Sequence, residues 1–86
     1  MPDAFIVTII DLKGHFETDL EIPSQLPFAS FKAKLLEILK IMDGQIFGGW
    51  KDYRLYFNNG IFSNGDTLAS VGAFDGSKLI VEQVRL

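Results

Sequence analysis

Between Phe5 and Leu12 apolar side chains occupy both parities of the chain. Phe5, Val7 and Ile9 fall on one and Ile6 and Ile10 on the other. Such β-branched residues suit a pleated surface, and a strand apolar on both faces belongs inside a sheet. From Phe16 to Ile22 the pattern becomes strict alternation. Phe16, Thr18, Leu20 and Ile22 face one way and Glu17, Asp19 and Glu21 the other, as in a half-buried strand with one wet face. Gly14 can take the positive φ of a tight connection, so the two runs predict an N-terminal hairpin. "PSQLP" then interrupts the sheet, and Pro27 suits the first turn of a helix. The period changes to that of a helix: Phe28, Phe31, Leu35, Leu39 and Met42 form one stripe, flanked by Leu36 and Ile38. Lys40 complements the dipole at its C-terminal end, and Asp43-Gly44 supplies the stop.

"DGQIFGGWKD" reads as a Gly-rich connection. Tyr53 to Phe57 is a short strand with Tyr53, Leu55 and Phe57 on one face and Arg54 and Tyr56 on the other. "NNG" is a turn signal, after which Ile61 and Phe62 make a very short strand. "SNGDTLASVGAF" is a turn and a compact irregular piece. Lys78 to Val84 alternates as the last strand, with Leu79 and Val81 inward. One helix and one sheet predict a two-layer α+β domain over residues 1–86, a mixed ββαββ sheet with one very short extra strand packed on a single helix. The doubly apolar first strand sits mid-sheet, with the last strand beside it and parallel.

Composition narrows the chemistry. With 48% hydrophobic and 13% aromatic residues in 86, the chain has the material for a packed core. It needs that core, because there is no cysteine to cross-link it and a single histidine cannot build a zinc site. The net charge of −3 and scattered Lys and Arg argue against a nucleic-acid partner. "AFIVTII" is too short to span a membrane and lacks the basic leader and cleavage site of a signal peptide. A cytoplasmic protein with no membrane insertion is therefore expected, and the absence of cysteine fits that compartment.

Catalytic groups do not assemble. There is no nucleophile–base set, His15 lies in a predicted turn, and "GSK" lacks the spacing of a phosphate loop. Glu17, Asp19 and Glu21 lie ~7 Å apart along their strand, without the converging oxygens a hard cation needs. They read as a solvated face that blunts the strand against aggregation. No enzyme activity, metal or cofactor is predicted. Trp50 has two readings, a partner anchor or a cap on the open end of the core.

Several stretches resemble the ubiquitin-like β-grasp: "LKG" its first hairpin turn, "FASFKAKL" its helix start, and "RLYFNNGIFSNGDTL" the segment that follows. "DLEIPSQLPFASFKAKLLEILKI" and "VGAFDGSKLIVE" resemble the YukD/EsaB family more narrowly. Its members are small bacterial ubiquitin-like proteins associated with type VII (WXG100/ESAT-6-like) secretion and are not conjugated to targets. The resemblance implies a non-enzymatic protein-interaction module, accessory or regulatory to that machinery. It does not cover the 43–52 loop.

In a β-grasp the helix covers only one face of the sheet. Alternation then sends Ile6, Ile10, Arg54, Tyr56, Ile80 and Glu82 to the open face, with Leu12 near the hairpin turn. Leu12, Tyr56 and Glu82 fall at the three positions through which, by resemblance, ubiquitin-like domains bind. The change to a charge at Glu82 predicts that a ubiquitin receptor does not recognise the surface. A contiguous apolar patch there predicts a protein partner, either a component of the secretion machinery or a second copy of the chain. Two other readings stand beside this one. A sulfur carrier or protein modifier needs a C-terminal Gly-Gly where this sequence has Arg85-Leu86; a ubiquitin-like scaffold domain of another bacterial complex does not.

Overall fold

A computed structural model describes residues 3–85; Leu86, half of the Arg85-Leu86 ending, lies outside them. Strand β1 (Ala4–Asp11) and β2 (Glu17–Pro23) form the expected hairpin, turning through Gly14 at φ 75°. Helix α1 (Phe28–Met42) follows, then a short helix α2 (Gly44–Phe47), β3 (Tyr53–Phe57), β4 (Gly60–Ile61) and β5 (Lys78–Gln83). The sheet order is β2-β1-β5-β3-β4. β1 pairs antiparallel with β2 and parallel with β5, setting Ile9 beside Leu79 and Ile10 beside Ile80. Its apolar residues on both parities thus lie in the interior of the sheet.

The helix-facing side of the sheet holds the core. Val7, Ile9, Leu55, Leu79 and Val81 are fully buried against Phe28, Phe31, Leu35, Leu36 and Leu39 of α1. Each such side chain contributes roughly 1.5–3 kcal/mol by leaving water. The start of α1 departs from expectation. Pro27 stands one place before the helix, at the cap, where it has no side-chain donor or acceptor to offer. The first helical N–H groups are instead satisfied from the 63–68 loop: Phe28 donates to the Asp66 carbonyl at 2.7 Å and Ala29 to that of Asn64 at 2.9 Å.

The end of α1 corrects two further expectations. Met42 is not part of the core stripe but 48% exposed, because α1 stops there and the chain turns back at Asp43. The connection after it is not irregular throughout. Asp43 donates its N–H to the Leu39 carbonyl at 2.9 Å and accepts at its carboxylate from Gln45 and Ile46, each at 3.1 Å. One residue therefore closes α1 and opens α2. α2 carries Phe47, fully buried, into edge-on contact with Phe16 at 5.0 Å and Trp50 at 4.7 Å. Trp50 is itself buried, so it caps the open end of the core and is not an exposed anchor.

Asn58 and Asn59 take positive φ, 49° and 67°, as a two-residue turn of the primed type requires. That turn pairs Phe57 with Gly60 and Tyr56 with Ile61. β4 ends at Ile61, so Phe62 is not a strand residue as expected. Its N–H still donates to the Leu55 carbonyl at 2.8 Å, and its ring is buried beside Phe28.

Candidate protein-binding face

The face of the sheet turned away from α1 is built by strand alternation alone. Directly paired residues share a face, their Cβ atoms ~5 Å apart. The register pairs Ile10 with Ile80, Ile80 with Tyr56, and Tyr56 with Ile61. These four side chains make a continuous apolar file across β1, β5, β3 and β4, about 14 Å from end to end at the usual strand spacing. Ile61 is 51% and Ile80 37% exposed, while Ile10 and Tyr56 are half-buried between their neighbours.

Polar groups border the file on both sides. On one, Thr8 lies beside Lys78 and donates its hydroxyl to Asp19 at 2.7 Å. On the other, Arg54 pairs across from Glu82, with their charged groups 3.5 Å apart. The Tyr56 hydroxyl donates to the same Glu82 oxygen at 2.7 Å. This hydrogen bond to an anion raises the Tyr56 pKa above its ordinary value.

Six of the seven named residues lie on this face by register, but they are not one patch. Ile10, Tyr56 and Ile80 form the apolar file, and Arg54 and Glu82 flank it. Leu12, 57% exposed, stands past the end of β1, its N–H donating to the Val81 carbonyl at 3.0 Å. Ile6 is separated from the file by the Thr8–Lys78 row and is tied to the 74–77 turn, with its N–H on the Asp75 carboxylate at 2.8 Å. Ile61 belongs to the file and was not among the expected residues. Its signal was the Asn-Asn turn, whose two-residue loop fixes which residue faces Tyr56.

No protein-family model matches the sequence, and no curated protein matches it. Solved structures do. The chain is similar to the EccD5 ubiquitin-like domain from Mycobacterium xenopi, with 14% identity, 99% of each chain covered and a TM-score of 0.79. It is also similar to the ubiquitin-like domain of the Mycobacterium tuberculosis type VII secretion system protein EccD1, with 22% identity over 96% of this chain and 100% of that one, TM-score 0.72. A third likeness is to ubiquitin of Caldiarchaeum subterraneum, 17% identical over 96% of each chain, TM-score 0.73. The fold is the ubiquitin-like β-grasp.

Within this β-grasp the open face is chemically mixed. At the three positions the resemblance singles out, Leu12 is apolar and exposed, whereas Tyr56 and Glu82 are bonded to each other. The polar tie occupies the Glu82 side and leaves the Ile80–Ile61 side as the apolar surface. Among the described residues no three His, Asp or Glu side chains converge as a metal site, and no helix is long and apolar enough to cross a membrane.

Proposed function

We propose that this β-grasp is a non-enzymatic, cytoplasmic protein-interaction module, accessory or regulatory to a type VII secretion machine. It binds a protein component of that machine through the file Ile10–Ile80–Tyr56–Ile61. The observation that carries the reading is the file itself. Four large apolar side chains are aligned across four strands on the face that no helix covers, and a patch of that kind marks an interaction surface. The assignment to type VII secretion is supported by the YukD/EsaB-like stretches of the sequence and by the likeness to two EccD ubiquitin-like domains. Leu12 extends the surface at one end, and Arg54 and Glu82 act as its polar rim.

The test is genetic and then surgical. Deleting the gene should reduce export of small WXG100 substrates, and the native protein should restore it. An Ile80→Gln, Tyr56→Gln double variant makes the file polar without placing like charges opposite each other, and its circular dichroism should match the native protein's while export stays low. Unchanged export on deletion would sink the assignment to secretion. Full rescue by the double variant would sink the assignment of the face.

A further inference from the structure

A second surface lies at the border of the sheet, where β2 is an edge strand. Its ladder to β1 has a fixed phase. Asp11 donates to the Phe16 carbonyl at one end and Ser24 to the Asp3 carbonyl at the other. Antiparallel bonding alternates residue by residue, so Thr18, Leu20 and Ile22 spend their backbone groups on β1. The N–H and C=O groups of Glu17, Asp19 and Glu21 point the other way, to the free edge. Beside that edge, between β2 and α1, runs a groove of about 220 Å³ lined by Leu20, Ile22, Leu26, Phe31, Leu35 and Ile38. An unpaired edge next to an apolar groove is the geometry that accepts an added strand, with main-chain bonds for affinity and alternate side chains for specificity.

The charges specify the occupant. Glu17, Asp19 and Glu21 form an exposed row on the open face of β2, and among the described residues none of the three is in an ion pair. A strand laid along β2 sets every second side chain beside this row and the others into the groove. Lys34 stands on the helix side of the groove, 3.7 Å from Glu37, so positive charge on the incoming strand belongs on the acidic side. A second copy of the chain does not fit: pairing two β2 edges sets acidic row against acidic row, and like charges directly opposite destabilise a sheet.

We propose that the outer edge of β2 docks an extended segment of a partner protein in which basic and apolar residues alternate. The basic side chains face Glu17, Asp19 and Glu21, and the apolar ones fill the groove against α1. This site borders the file on the open face, Glu17 lying across from Ile10, but its edge and groove involve none of the four file residues, so either surface can fail without the other.

The probe is a peptide of alternating Lys and Val as long as β2, added to the full chain and followed by NMR and amide hydrogen exchange. In the free protein the Glu17, Asp19 and Glu21 amides should exchange fast and those of Thr18, Leu20 and Ile22 slowly. Peptide should protect the first set and shift resonances along Leu20–Pro23 and Ser30–Ile38. Replacing Lys by Glu in the peptide should weaken binding about tenfold or more. The exposed double change Glu17→Lys, Glu21→Lys should reverse that preference. Absence of binding, equal binding of the Glu peptide, or shifts confined to Ile10, Ile80, Tyr56 and Ile61 would overturn the proposal. Protection of the Glu17, Asp19 and Glu21 amides that appears without peptide and grows with protein concentration would overturn it in favour of a second copy.

Discussion

The two tyrosines of β3 carry the same phenol into opposite settings. Tyr53 is buried and donates to the Lys32 carbonyl at 2.8 Å. Loss of hydration is the main cause of its raised pKa, and the charge of neighbouring Asp52 adds to it. Tyr56 is raised chiefly by its bond to the Glu82 carboxylate. In the unfolded chain both ionise near the ordinary value of about 10. Above that pH the unfolded state therefore holds fewer protons than the folded one, and stability falls as pH rises. Chemical denaturation should show no tyrosine-linked change below about pH 10 and a declining midpoint above it. Glu82→Gln tests the Tyr56 assignment: absorbance titration should show one tyrosine moving back towards ordinary behaviour and the other, Tyr53, unmoved. Beside Tyr53, the Lys32–Asp52 pair at 2.9 Å lowers the Asp52 pKa through its hydrogen bond. Both groups are partly exposed, so the pair contributes little to stability.

Among the elements, the smallest ones place the most. α2 has four residues and three glycines in or just after it, at 44, 48 and 49, so neither propensity nor periodicity reveals it. What makes it a helix is the Asp43 cap and the burial of Phe47. Asp43→Ala should cost about 1 kcal/mol and change the emission of the chain's single tryptophan, because Trp50 rests on Phe47. Met42 misleads in the complementary way. It continues the helical stripe perfectly in sequence, but α1 ends there and the chain turns back at Asp43, leaving it exposed. β4 is shorter still, two residues, and the Asn58–Asn59 turn sets its register. Asn59→Val forces a β-branched residue to positive φ, at about 1–2 kcal/mol, and should break the Tyr56–Ile61 contact seen by NMR. The longer elements were readable because alternation or helical period held across several residues, and the same alternation assigned six of the seven expected outward positions. It could not tell that Thr8 and Lys78 cut Ile6 off from the others, since that depends on which strands are neighbours.

At the scale of the whole molecule, α1 and the sheet share one core through which the main elements communicate. Phe47→Ala empties a fully buried ring site and should cost about 3–5 kcal/mol, a large part of the 5–15 kcal/mol typical of a domain. Unfolding followed by Trp50 emission and by far-ultraviolet dichroism should coincide, in the native protein and in this variant; separated transitions would show that the α2 end melts on its own. The mid-sheet place of β1 was evident from its doubly apolar pattern, and that place also governs how the chain is made. β1 finds β2 within a few residues, but its other neighbour pairs Ile10 with Ile80, seventy residues on. Such distant pairing forms slowly, and unpaired apolar strands are where chains aggregate. A ribosome making this protein carries a hairpin that α1 can cover early, but the inner edge of β1 stays unpaired until β5 emerges, so a strand made early waits for one made much later before it is safe.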